Sequence, residues 1–334
     1  MNDQTSMTKQ RSLGRFAGMI RRIFQNRLLI SLLAISLIPL MVLGLSMYLL
    51  ASNAIMKEAT DRLAAVRTIK ANQIQSYFHS IQDQIQTFSE DRMVIQAMSD
   101  FEKGMTSVQL DNEVTEGQLA QMRTKMERFY KAEFGRKYGL ENESNDTNVQ
   151  SLVDRLVVPL DGDAISLQYE YIQNNPNELG SKDLLDQAAD GSGYSESHKL
   201  YHPIIRNYLE KFGYYDIFLV DIVSGDIVYS VFKEVDYATS LRDGPYASTN
   251  LGRAFSEAAK SSWKDSVAFV DYQTYPPSYE AAASFIASPI FDGDKKIGVA
   301  IFQMPIGRIN DILSERTGLG ESGETYAVGS DHLF

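Results

Sequence analysis

Leu28 to Ala51 reads LLISLLAISLIPLMVLGLSMYLLA, 24 residues without a charge. As a helix rising about 1.5 Å per residue it is about 36 Å long, enough to cross a hydrocarbon core of about 30 Å with some tilt. A charged side chain at the bilayer centre costs about 2.5–3.5 kcal/mol, and this stretch carries none. Pro39 and Gly44 lie inside it. Both are tolerated better in membrane helices than in soluble ones. A cleaved signal peptide has a shorter apolar core, about 7–15 residues, followed by a small-x-small site. Here the core is longer, and Ala51-Ser-Asn-Ala54 has the wrong spacing. A buried helical hairpin is the other alternative, and the basic flank argues against it.

That flank sets the orientation. Residues 1–27 hold Lys9, Arg11, Arg15, Arg21, Arg22 and Arg27 against Asp3 alone, a net charge of +5. The other residues hold 26 basic and 42 acidic side chains, a net charge of −16. Positive flanks stay in the cytoplasm, so the chain after about residue 52 is expected on the periplasmic or extracellular side of the cell membrane. The net charge of −11 and pI near 4.9 exclude a nucleic-acid partner, which needs clustered Lys and Arg. The basic tail fits membrane lipid instead. There is no cysteine, hence no disulfide, thiolate metal site or cysteine nucleophile. The 16 Phe and 18 Tyr supply a core large enough to fold without such staples.

Residues 52–100 contain no Gly or Pro and predict one long stalk helix. Ala71, Ile74, Phe78, Ile81, Ile85, Phe88 and Ile95 recur at a 3,4 spacing, with Arg92 in the gap. Such a seam either packs against its own domain or pairs with a second copy as a parallel homodimer, and continuity with the anchor favours pairing. A second amphipathic stretch runs from Glu116 to Phe134, with Leu119, Met122, Met126 and Phe129 on one face. Gly135, Gly139 and the polar run Glu141 to Asn148 then predict a loop.

From Tyr201 the pattern changes. Ile204 to Phe212 predicts a helix closed by Gly213. Tyr215 to Asp221 and Ile227 to Phe232 predict a hairpin around Ser224-Gly-Asp226. Leu251 to Lys260 predicts a helix. Ser266 to Tyr272, Ala282 to Phe291 and Lys296 to Gln303 predict three more strands, the last two joined by Asp292-Gly-Asp294. This order describes an α+β domain, one antiparallel sheet with helices on one side. Arg308 to Arg316 predicts a further helix, and Gly323 to Val328 the first strand of another unit.

The runs Tyr215-Asp-Ile-Phe-Leu-Val-Asp-Ile-Val-Ser-Gly-Asp-Ile-Val-Tyr229, Phe269-Val-Asp271 and Ser288-Pro-Ile-Phe-Asp-Gly-Asp-Lys-Lys-Ile-Gly-Val299 resemble the PAS-like double Cache sensors of methyl-accepting chemotaxis receptors. Thr317 to Asp331 resembles the entry into the second, membrane-proximal unit. The resemblance implies a cytoplasmic tail at 1–27, a transmembrane helix at 28–51 and a stalk and helical segment at 52–135. The membrane-distal sensor unit would occupy 136–316, and 317–334 would begin a truncated proximal unit. It also implies a cytoplasmic output beyond Phe334, through which signalling proteins would be reached. Histidine kinases and nucleotide cyclases share such sensors, so those outputs stay open.

In Cache units that bind amino acids, the resemblance implies a Tyr…Arg-x-Trp-Tyr motif for the carboxylate and an acidic residue after a strand for the amine. Arg253 occupies the matching helix, with Phe255 and Ser256 in place of the aromatic pair, and Asp271 matches the acidic position. From the residues themselves, Asp271, Tyr272, Tyr275 and Tyr279 cluster around Pro276-Pro277, and Tyr229, Tyr237 and Tyr246 come from the preceding hairpin and loop. Aromatic walls with a few polar tips suit a small-molecule ligand, although the same tyrosines could cover the sheet.

Catalytic and cofactor patterns fail. Gly318-x-Gly320-x-x-Gly323 follows a predicted helix and precedes a strand, the reverse of a dinucleotide fingerprint. His198 and His202 have helical spacing without the acidic frame of a zinc site. No nucleophile elbow is present. The expectation is a sensor without cofactor or metal rather than an anchored periplasmic hydrolase. Reporter fusions at Gly14 and Gly180 should give opposite topology readouts, and a cytoplasmic signal from Gly180 would overturn the orientation.

Overall fold

The computed structural model describes residues 4–143 and 146–329. It divides into two compact units, one of residues 1–70 with 316–325, the other of 71–315 with 326–334. In the first, the apolar stretch lies in helix α1 (Gln4–Glu90), and its large apolar side chains from Leu28 to Leu50 are exposed. This is one helix long and apolar enough to cross a membrane.

The second unit begins inside the expected stalk. The helix does not run through residue 100. Asp91 takes extended backbone angles, and its carboxylate accepts from the Met93 amide at 2.7 Å, which caps a new helix α2 (Arg92–Asp111). Neither Gly nor Pro marks the break, so periodicity alone passes over it. The expected seam is also consumed internally. Ile81, Ile85 and Phe88 are buried in the unit's own core. Phe88 packs on Phe302 of the sheet, with ring centroids 5.2 Å apart. Pairing of two copies through Ile81 and Ile85 is therefore corrected: those side chains already have a partner. Both readings of the seam require the same apolar stripe, and only the fold decides between them.

Thr115 and Gln118 form a capping box at the start of α3 (Glu116–Phe129). A π-helical turn (Tyr130–Gly135) leads into α4 (Arg136–Glu141). The chain continues through α5 (Asp146–Val157) and α6 (Gly162–Gln168), then a second π-helical turn (Tyr169–Gln173). The loop expected from Gly135 is therefore mostly helix, and its centre, Ser144 and Asn145, lies outside the described residues. Helix α7 (Gly193–Phe212) starts eleven residues earlier than the periodicity predicts, because Ser192 caps it and Pro203 is accommodated inside. Gly213 ends it at φ 74°, a left-handed cap that glycine takes without strain. Gly104 of α2 lies against α7, where a Cβ would come within 2.7 Å of the Tyr194 Cα.

The sheet is antiparallel, in the order β2-β1-β5-β4-β3. Its strands are β1 (Asp216–Asp221), β2 (Ile227–Ser230), β3 (Ala268–Thr274), β4 (Ala282–Asp292) and β5 (Lys295–Met304). Asp221 shapes the first hairpin by accepting from the Val223 and Ser224 amides. Helix α8 (Asn250–Lys260) packs on β3, β4 and β5, and α9 (Gly307–Ser314) follows the sheet. Pro289 sits in β4 past Ala268, where β3 no longer pairs.

Cross-strand register assigns the two faces. Ile217, Leu219, Tyr229, Ile286, Ser288, Ala300 and Phe302 share one face. It meets the end of α1 and α2, through Phe88 on Phe302, Ser89 on Ser288 and Phe101 stacked on Tyr229. Asp216, Phe218, Phe285, Ile301 and Gln303 share the other. Every residue of β1 is buried, so the sheet is covered on both faces, which corrects the expectation of helices on one side. Residues 323–329 form no strand, since a strand needs a paired neighbour and none is present among the described residues. Residues 330–334 lie outside them.

The chain has no native cysteine, so single cysteines report burial cleanly. Placed at Ile81 or Ile85 they should resist a hydrophilic thiol reagent until denaturant is added, whereas one at the exposed Gln75 should react at once. Equal rates at all three would show the seam uncovered.

Candidate ligand-binding site

Asp216 opens β1, the only charged residue in a run of buried apolar ones until Asp221. Its Oδ1 accepts from the backbone amides of Ile217 (2.7 Å), Val231 (2.8 Å) and Phe232 (3.2 Å). This pins the chain leaving β2 to the start of β1. The next residues turn inward. Lys233 takes φ 56°, and Glu234 and Asp236 bring two more carboxylates beside the first. Each is engaged on one oxygen. Tyr275 donates to Asp236 Oδ2 at 2.5 Å, and Tyr215 donates to Glu234 Oε1 at 3.2 Å. The second oxygens, Asp216 Oδ2, Glu234 Oε2 and Asp236 Oδ1, are sealed from solvent and find no hydrogen-bond donor among the described residues.

Lys233 is the ammonium that belongs to this cluster. It is buried, donates to the Ser230 carbonyl, and lies 4.4 Å from the Tyr229 ring centroid and 5.1 Å from that of Tyr237. Burial pulls its pKa down, with Asp216 and Asp183 opposing. Burial raises the pKa of Asp216, and Asp236 adds to that against the backbone bonds and Lys233. Glu234 is raised by burial and then by the other two carboxylates, and Asp236 by burial against the Tyr275 hydroxyl. Perturbed carboxylates gathered in one place make a candidate functional site.

Beside Lys233 and Glu234 is a cavity of about 270 Å3, whose other charged walls are Lys137, Glu141 and Lys182. Phe134, Tyr215, Lys233, Glu234, Ser278 and Tyr279 are among its walls. Ser278 Oγ accepts from Gln303 Nε2 (3.2 Å), and Gln303 is the cross-strand neighbour of Asp216. The β3–β4 connection carries Tyr279 and Glu280 at φ 54° and 64°. It is held by Tyr138, which donates to Glu280 Oε1 at 2.6 Å, and by Lys137, 4.2 Å above the Tyr279 ring. Left-handed non-glycine residues cost free energy and gather where function requires them. Lys233 and Tyr279 both line the cavity. The π-helical turn at Tyr130 adds a wall behind, with the Tyr130 hydroxyl donating to Gln168 Oε1 (2.9 Å) and to the Val235 carbonyl.

Of the expected residues Tyr279 lines this cavity, and Tyr275 lies behind it, bonded to Asp236. The structure does not bring Asp271 or Arg253 here, whose side chains are exposed. Asp271 Oδ1 accepts from the adjacent Tyr272 amide, a local bond on β3. Tyr272 is half-buried, with Tyr77 among the groups raising its pKa after burial itself. Tyr229 lies on the sheet's opposite face, against Phe101 and His202. Asp216, Glu234, Asp236 and Gln303 escape the sequence reading. Their only signal was a carboxylate at the head of an apolar strand and the dense charges of Lys233-Glu-Val-Asp236 after β2.

The histidine pair is structural. His202 Nε2 donates to the Asp183 carbonyl (2.6 Å), so its Nδ1 accepts from the Tyr229 hydroxyl (2.7 Å). Burial, then Lys233, lowers its pKa to about 2, so the ring is neutral.

The raised pKa of Asp216 predicts a pH effect on stability. Its neutral form is favoured in the fold, and that contribution is lost as pH rises from the ordinary carboxylate range through the folded value. Asp216→Asn keeps the Oδ1 acceptor and removes the ionisation. The gain in Tm over the parent protein should therefore grow as pH is raised from about 4 towards neutrality. A gain that is flat with pH would show the carboxylate titrating normally.

No family model and no curated protein matches this chain. Among solved structures it is similar to the sensor domain of the V. cholerae histidine kinase DctB, with 15% identity and a TM-score of 0.29. That match covers 51% of this chain and 59% of the other. It is also similar to the ligand-binding domain of the Campylobacter jejuni chemoreceptor Tlp3, solved in complex with 4-methylisoleucine, with 11% identity and a TM-score of 0.27. There 65% of this chain and 64% of the other are covered, so the chain spans less than two thirds of each.

Proposed function

We propose that this chain is the membrane-anchored, extracytoplasmic sensor part of a methyl-accepting chemotaxis receptor, built on a Cache-type domain and responding to a small molecule. One observation carries the reading. A cavity with Phe134, Tyr215 and Tyr279 in its walls is also lined by Lys233 and Glu234, and Glu234 Oε2 is buried without a donor among the described residues. Burying such a group is costly unless something bonds it, so a cavity that keeps it is organised for a ligand. Tyr279 belongs to this site in the proposal, with Tyr275 behind it.

The sheet supports a route for the signal. Gln303 and Phe285 face the cavity side, while their neighbours Phe302 and Ser288 touch Phe88 and Ser89 at the end of α1. A ligand that shifts β4 and β5 is felt in the last turns of that helix. It biases the receptor only by its differential affinity for two such arrangements. The positive flank supports a cytoplasmic N-terminal tail, with the domain outside.

The test is a thermal-shift screen of the full chain in lipid nanodiscs against a chemically broad set of metabolites. At least one compound should raise Tm in a saturable way. Tyr279→Ala, which removes a cavity wall, should weaken that compound by about tenfold, a loss of about 1.4 kcal/mol. A set in which nothing stabilises the protein, or a stabiliser indifferent to Tyr279, would overturn the reading.

A further inference from the structure

We infer that Asp216, Glu234 and Asp236 form a proton-binding latch, which holds the segment from Val231 to Tyr237 against the sheet near neutral pH and releases it as the surroundings become alkaline. The latch is independent of the small-molecule reading of the neighbouring cavity.

The segment is tied down by groups that cannot all be charged together. Asp216 Oδ1 holds the Val231 and Phe232 amides, Tyr275 holds Asp236, and Tyr215 holds Glu234. The Tyr130 hydroxyl and Gln168 Nε2 donate to the carbonyls of Val235 and Tyr237. Lys233 and Ala238, at φ 56° and 60°, take left-handed angles that cost a non-glycine residue free energy. The segment therefore keeps this path only while its side-chain ties persist.

Three carboxyl groups stand against one ammonium, and Lys233 donates to the Ser230 carbonyl and rests on tyrosine rings. The second oxygens of Asp216, Glu234 and Asp236 find no donor among the described residues. Asp216 and Asp236 are buried and line no wall of the cavity, so a ligand there leaves their oxygens untouched. An ionised carboxylate sealed without a donor costs more than a protonated one. A proton is the donor these oxygens lack. A neutral carboxyl donates to a neighbouring carboxylate, and groups so coupled hold and lose protons together. Gln303 Oε1, also buried without a donor, is a further acceptor. Glu234 is half-buried and lines the cavity, which makes it the port through which protons reach solvent.

The other titratable groups facing the carboxyls are mostly tyrosines. Tyr130, Tyr215, Tyr246, Tyr275 and Tyr279 are kept neutral by burial, as is Tyr229 beside Asp216. Lys137 of α4 favours the charged form of Glu234. Asp183 faces Lys233, as do the neutral rings of His198 and His202 on α7. Burial raises the pKa of all three latch carboxyls. Their contribution is complete below the ordinary carboxylate range and is lost as pH rises through the folded values. Lys233 has the opposite sign, since burial lowers its pKa and proton loss favours the fold, one group against three.

The full chain in nanodiscs carries the test, with single cysteines in a protein that has none of its own. Val235→Cys probes the buried segment, and Val223→Cys, at a position 80% exposed, gives the solvent rate. The ratio of their labelling rates by a hydrophilic thiol reagent should rise at least about tenfold between about pH 6 and about pH 8.5, where an ordinary carboxylate is already ionised. Glu234→Gln, Asp236→Asn and Asp216→Asn, tested singly, each keep the shape and an acceptor oxygen and remove one ionisation. Each that melts cooperatively should cut the rise at least about threefold. Asp271→Asn, on exposed β3, should leave it unchanged.

A parent ratio flat with pH overturns the latch, whatever the variants do. A rise undiminished in the variants also overturns it, because the titrating group then lies elsewhere. Failure of all three variants to fold overturns it too, since an amide mimics the protonated carboxyl that the latch requires. The thermal-shift screen with small molecules is unaffected by any of these outcomes, so the ligand reading stands or falls separately.

Discussion

The carboxylate of Asp216 is the constraint on which the sheet-bearing unit of this molecule turns. One of its oxygens takes three backbone amides, two of them from the segment leaving β2. Without that anchor nothing obliges the chain after Ser230 to fold back over the sheet. With it, Lys233, Glu234 and Asp236 are carried inward, and Lys233 is held in a left-handed conformation. The arrangement costs stability, because burial opposes the charge of every member. A fold optimised for stability alone would replace the group with apolar side chains of similar volume.

The sheet separates two kinds of packing by the alternation of its strands. Phe302 and Gln303 are neighbours in sequence and look in opposite directions. The face of Phe302 is built for close contact. Ser288 meets Ser89 at 3.0 Å, and a Cβ at Gly298 would come within 2.6 Å of the Met98 sulfur. The face of Gln303 carries Phe218, Phe285 and Ile301, with Asp216 and Gln303 at one end, where buried oxygens find no donor among the described residues and Tyr275 meets Phe285. The same two strands, β4 and β5, serve both. The proposed passage of a ligand's effect to the end of α1 rests on the close contact of the Phe302 face, since a packed face responds as a unit.

Much of the organisation was legible in the sequence. The uncharged stretch at 28–51 declares itself through length and composition. The strands announce themselves through β-branched and aromatic runs punctuated by Asp-Gly and Ser-Gly turns, and β4 and β5 fall within two residues of where those runs predict them. Helix ends were less legible. The break at Asp91 depends on one side-chain cap, and the start of α7 on Ser192, signals too common in sequence to single out. The amphipathic stripe of Ile81, Ile85 and Phe88 was read correctly as apolar and assigned to the wrong partner. A helix stripe states that something covers it, not what.

What the sequence determined by itself is therefore local or compositional: a membrane-length helix, an acidic remainder without cysteine, an α+β succession, and abundant tyrosine to line a chamber. These follow from the short-range rules of hydropathy, period and turn chemistry. The tertiary structure alone decided which polar residues meet. Asp216 and Asp236 are 20 positions apart, and Gln303 joins them only through the pairing of β1 with β5. Asp271 and Arg253, attractive as isolated letters, end in solvent. Burial, charge pairing and an unsatisfied oxygen are properties of a place in the fold, and register and packing assign residues to places.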